Sequence, residues 1–109
     1  YQFLKINENV NPSFFGFPII ISGEYGHLKK DLLKKIEILG IESRPIISGN
    51  FLNQPAAKLF KFKQKAKNFP NSQVVEDRGF FIGLHSKPIT AKKLKLLVEA
   101  LLSINYLNK

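Results

Sequence analysis

"FFGFPIIIS", residues 14 to 22, is a short run rich in phenylalanine and isoleucine, bounded by Gly16 and Gly23. It predicts a buried strand, with Pro18 near the start or on a sheet edge because proline has no N–H to give to a ladder. Everything upstream reads differently. Residues 1 to 13, "YQFLKINENVNPS", mix polar and turn-forming residues around Asn11-Pro12 and predict a lead-in segment rather than an element of the sheet. The domain proper is then 14 to 109.

Downstream, Leu28, Leu32, Leu33, Ile36 and Leu39 recur at helical spacing, with Lys29, Lys30, Lys34 and Lys35 on the outer face and Gly40 as a stop. A helix from about 26 to 39 follows. "IESRPII" (41–47) predicts a second strand, and "AAKLFKF" (56–62) a short helix opened by Pro55 at its first position. "KQKAKNFPNSQ" (63–73) is basic and turn-rich, a surface loop. Asn71 or Ser72 is expected to cap a short helical turn through Asp77, and "GFFIGLH" (79–85) predicts another buried strand. Thr90 caps the last helix, where Leu94, Leu97, Val98, Leu101 and Leu102 are expected to line one face. The order β-α-β-(α)-(α)-β-α predicts an α+β fold, a small and mostly antiparallel sheet with helices packed on one face.

Length and composition bound the function. A chain of 109 residues with 44% hydrophobic and 23% charged residues suits one globular domain with a modest core. Without cysteine there is no disulfide framework, thiolate metal site or cysteine nucleophile. No apolar run approaches the ~20 residues that span a bilayer, and the N-terminus lacks the order of a signal peptide. No membrane partner is expected, and the cytoplasm is the default setting. Starting at Tyr1 with no methionine anywhere, the sequence is expected to be a piece of a longer protein.

The net charge of +9 invites comparison with nucleic-acid binders, whose affinity comes from neutralising phosphates. The charge, however, comes from fifteen lysines against two arginines, Arg44 and Arg78, whereas bidentate phosphate and guanine recognition favours arginine. No nucleic-acid partner is expected. Catalytic groups are scarce too: His27 and His85 are far apart in sequence, Glu76-Asp77 are chain neighbours suited to a helix end, and no glycine-rich phosphate cradle occurs. His85, at a strand end where loops gather, is the better candidate of the two histidines.

The exception is "GNFLNQP", residues 49 to 55. With Arg44 and Ser48 ahead of it, this loop collects a cation and the neutral groups of Asn50 and Gln54 around a glycine that lets a ligand approach the backbone. That equipment suits sugar hydroxyls and a phosphate. Equally, Asn and Gln knit loops together by bonding backbone groups, and the residue types alone leave both roles open.

At these residues a family pattern emerges. "NPSFFGFPIII", "IESRPIISGNFLNQPA", "FPNSQVVEDRGFFIGLH" and "PIT" resemble, in order and spacing, the C-terminal region of the DegT/DnrJ/EryC1/StrS sugar aminotransferase family, in particular its lipopolysaccharide branch that includes CDP-4-keto-6-deoxy-D-glucose 3-dehydrase. The most specific pieces are P-S-[WF]-F-G-F-P and R-x-x-x-[SA]-G-N-x-x-x-Q-P; Phe14 stands where the 3-dehydrases usually have Trp. The resemblance implies the small C-terminal domain of a fold-type I pyridoxal-phosphate (PLP) or pyridoxamine-phosphate (PMP) enzyme of nucleotide-sugar biosynthesis, working as a homodimer. By the same resemblance the cofactor and its Schiff-base lysine, or the histidine that replaces it, belong to an N-terminal large domain, and the small domain alone is inactive. The thiolates of an iron–sulfur cluster, present in some 3-dehydrases, cannot come from this cysteine-free sequence. The resemblance implies that Arg44, Ser48, Gly49, Asn50, Gln54 and Pro55 form a loop over a nucleotide-linked keto sugar, with Ser13, Phe15 and Gly16 close to the same cleft and His85 near the strand end beside it.

Overall fold

The computed structural model describes residues 1–107. Its sheet has four strands, β1 (Gln2–Phe3), β2 (Gly16–Ile20), β3 (Ser43–Arg44) and β4 (Gly79–Gly83), in the order β1-β2-β4-β3. Every pairing is antiparallel, as expected. The central pair sets the two faces of the sheet. Ile19 lies opposite Phe80 and Phe17 opposite Ile82, so these four side chains share one face, while Gly16, Pro18, Ile20 and Phe81 take the other.

The first face carries the core. Helix α1 (Lys29–Ile38), entered through a 3-10 turn at Gly23–Leu28, lays Leu28, Leu32 and Ile36 on Ile19, Ile21, Phe80 and Ile82. Helices α3 (Ala91–Leu102) and α4 (Ile104–Leu107) close it with Ala100, Leu101 and Ile104. Helix α2 (Pro70–Arg78) runs directly into β4, and the Arg78 carbonyl accepts from Ile21 N–H at 3.0 Å.

Several expectations need correction. Residues 1–13 do join the sheet: Gln2 and Phe3 pair with Ile20 and Ile19, because the outer edge of β2 offers free backbone groups. The strand expected over 41–47 shrinks to Ser43–Arg44, since Pro45 has no N–H for the ladder and Ile47 adopts a left-handed φ of 41° that turns the chain away. Neither Asn71 nor Ser72 caps α2, which starts earlier with Pro70 at its first turn and no side-chain cap. On α3, Leu94, Val98 and Leu102 are exposed, and the core takes Ala100 and Leu101 with Leu97 packed against it. The loop expected over 63–73 also ends early, because Pro70 already starts α2. Two local expectations hold: Pro55 opens a 3-10 turn to Leu59, and Thr90 Oγ1 accepts from Lys93 N–H at the start of α3.

Tyr1 ties the first residue to the last helices, its hydroxyl donating to the Leu101 carbonyl at 2.5 Å. Burial pushes the phenol pKa up to about 12. A raised folded pKa favours the neutral form, so this contribution is intact below the unfolded value of ~10 and is lost as pH rises through the folded one. Tyr1→Phe is expected to cost about 1 kcal/mol near neutral pH. In urea titrations the gap between the two proteins should close as the pH rises through the folded value; a constant gap would mean that the phenol is not held in this way.

Candidate functional site

The face of the sheet turned away from α1 and α3 is partly open, with Ile46 and the end of α2 covering Gly79, and with Phe81 half-buried. Arg44 lies opposite Phe81 in the ladder and so shares its side, with Pro18 across β4 and Gly16 two residues further along β2. The Phe81 ring fills the space over Gly16 so closely that a Cβ there would meet it at 2.5 Å. Phe15, 71% exposed, packs edge-on to Phe81 at 5.4 Å between centroids and holds its place through its carbonyl, which accepts from Leu84 N–H at 3.0 Å. A cation on the strand next to two perpendicular aromatic rings offers both an anion-binding and an apolar part. The Arg44 guanidinium is about two-thirds exposed and is paired with Glu42.

The 48–55 loop is pinned to α2. Gly49 has φ +56° and lies against the Glu76 side chain and Cα. Asn50, only 2% exposed, donates its backbone N–H to Glu76 Oε2 at 2.9 Å and its side-chain amide to the Ala66 carbonyl at 3.0 Å and Gln73 Oε1 at 3.1 Å. Asn53 repeats the grip, donating to Gln73 Oε1 at 2.8 Å and Glu76 Oε2 at 2.9 Å. Gln54 closes the loop on itself through the Ser48 carbonyl at 2.9 Å. Of the two roles open to these amides, tying the loop together is the one their donors perform. Pro55 is exposed at the start of the next turn.

The structure thus places Phe15, Gly16 and Arg44 around Phe81, and holds Gly49 and Asn50 on α2 while Ser48 and Gln54 close the loop on each other. His85 stands apart. It is exposed, its Nδ1 accepts from Lys87 N–H at 3.2 Å, and it lines a groove of about 610 Å³ with Glu42, Ile82, Thr90 and Leu97. Glu42 is the shared member, pairing with Arg44 and lining the groove of His85.

Gln73, Glu76 and Phe81 were missed in the sequence. Gln73 and Glu76 lie three apart and so on one side of a helix, a polar pair available to an amide-rich loop, but nothing local says that α2 and the loop meet.

No metal-binding group of three or more His, Asp or Glu occurs among the described residues. Lys29, whose pKa burial lowers against the opposing pull of Asp77 and Glu76, donates at 2.8 Å to the Glu76 carbonyl.

No protein-family model matches the sequence. Among curated proteins, GDP-4-keto-6-deoxy-D-mannose 3-dehydratase of Escherichia coli is 37% identical over 79 residues, which are 72% of this chain and 20% of that protein. dTDP-4-dehydro-2,6-dideoxy-D-glucose 3-dehydratase of Saccharopolyspora spinosa is 32% identical over 84% of this chain and 19% of its own length. Among solved structures, GDP-4-keto-6-deoxymannose-3-dehydratase with bound GDP-perosamine superposes with a TM-score of 0.71 at 32% identity, over 91% of this chain and 26% of that one. The same enzyme with a trapped PLP-glutamate geminal diamine gives 0.71 at 30% identity over 92% of this chain and 26% of that one. The chain spans about a fifth of the length of the curated relatives it matches. Its fold and these relatives agree: the chain belongs to the DegT/DnrJ/EryC1/StrS family, alongside the sugar 3-dehydratases.

Proposed function

We propose that this chain is the C-terminal domain of a PLP- or PMP-dependent nucleotide-sugar 3-dehydratase supplying deoxysugars for lipopolysaccharide, and that it forms one wall of the substrate cleft. The observation that carries this reading is the exposed Arg44 in the ladder opposite Phe81, whose ring packs on exposed Phe15, together with a 48–55 loop pinned to α2. A dehydratase is favoured over an aminotransferase by the relatives, which are named 3-dehydratases.

In this reading Arg44 holds the diphosphate, exchanging its exposed partner Glu42 for a doubly charged ligand with matching fork geometry. Phe15 and Phe81 support the apolar side of the sugar and keep water off it. Asn50 and Gln54 act by fixing the loop, so that Ser48 and the backbone around Gly49 face the ligand in one conformation. The cofactor is held by the remainder of the polypeptide.

Arg44→Ala in the full-length enzyme is expected to raise KM for the nucleotide sugar about tenfold or more, an effect of about 1.4 kcal/mol. Its kcat and urea midpoint should stay near wild type, because an exposed ion pair such as Arg44–Glu42 contributes little to folding. Arg44→Lys should recover only part of the loss, a point charge replacing a fork. An unchanged KM in the alanine variant would remove Arg44, and with it the cleft-wall reading.

A further inference from the structure

Between Ser43 and Val75 the sequence has no acidic residue, yet it carries Arg44, Lys58, Lys61, Lys63, Lys65 and Lys67. In the middle of this basic stretch three phenylalanines gather outside the core. The Phe51, Phe60 and Phe62 rings lie 5.6 to 6.1 Å apart, tilted and edge-on to one another, and all three remain exposed, Phe60 to 57%. Leu59 beside them is 84% exposed. Next to Phe51 and Phe62 a dent of about 250 Å³ opens, reaching Phe69 and Ser72. A contiguous aromatic patch with a recess and a charged rim has the anatomy of a protein interface.

We infer that this patch is the docking surface for the remaining polypeptide of a longer enzyme, through an apolar protrusion ringed by carboxylates. The inference rests on the proposed reading of the chain as part of such an enzyme, and on the match to only a fifth of the relatives' length. Three features select this occupant. The lysines call for an acidic rim opposite. A second copy of the same patch would set lysine against lysine, which costs affinity. The rings pack tilted and edge-on against one another rather than as parallel platforms, which leaves them poorly placed to stack bases. Because Phe51 belongs to the 49–55 loop, docking here also fixes the candidate site against the partner half.

Hydroxyl-radical footprinting of the full-length protein tests this, with the buried Phe80 as internal standard. Phe51, Phe60 and Phe62 are expected to oxidise within about twofold of Phe80. The charge reversals Lys61→Glu and Lys63→Glu together should raise that labelling about fivefold or more while leaving Phe80 protected. Rings that label more than about fivefold faster than Phe80 in the wild type would overturn the inference, as would protection that vanishes on dilution, the sign of a second copy. Cofactor absorbance of the same sample separates the two ideas: bound PLP with freely labelled rings refutes the docking surface alone, and protected rings without PLP refute the cofactor reading alone.

Discussion

Gly49→Ala is expected to be among the most damaging single substitutions in this fold. An alanine there would keep a left-handed φ of +56° and would place its Cβ 2.7 Å from Glu76 Cβ and 2.9 Å from Glu76 Cα. The second of these is helix backbone and cannot swing aside. Strain and overpacking together amount to roughly 2–5 kcal/mol, a large share of the ~5–15 kcal/mol that holds a domain folded. Gly40→Ala is the matched control, since φ is +76° there but nothing lies within 4 Å of the added carbon. It should cost only about 1–2 kcal/mol. Urea unfolding of both variants decides the matter: equal losses would show that the loop does not press on α2.

Asn50→Asp should be as severe, although the two side chains have the same shape. The substitution turns the donor that serves Ala66 and Gln73 into an acceptor, facing the Ala66 carbonyl and Gln73 Oε1, in a position 2% exposed. Glu76, which takes the Asn50 backbone N–H, adds a second carboxylate nearby. Breaking such a network and leaving a buried charge unpaired costs roughly 3–5 kcal/mol. Burial and the neighbouring carboxylate both favour the protonated form of the introduced acid, so the deficit should be greatest near neutral pH and shrink as pH falls. Asn50→Ala, which removes the donors without adding charge, should cost about 1–3 kcal/mol with no such pH dependence. If the aspartate variant were no less stable than the alanine variant at pH 7, the amide would have to be free for a ligand after all.

The parts of this fold that were legible in the sequence are those with a local cause. Helix α1 follows from leucine spacing, and β2 and β4 from apolar runs between glycines. What escaped depends on partners distant in sequence. Gln2 and Phe3 have no strand signal of their own; they are a strand because β2 has an unfilled edge. On α3 the apolar residues cover a broad arc, and only the position of α1 decides that Ala100 and Leu101 go inward while Leu94, Val98 and Leu102 stay out. The candidate site divides in the same way. Its loop stood out by composition, but whether Asn50 would point outward or into Gln73 depended on where α2 lies, a contact between residues 23 apart.

Both rims of the sheet, β1 and β3, are only two residues long, and the chain leaves β3 through a proline. Such stubs offer too few free amides and carbonyls to template an added strand. Growth of the sheet from one molecule to the next, the route toward fibrils, finds little to build on along these two stubs.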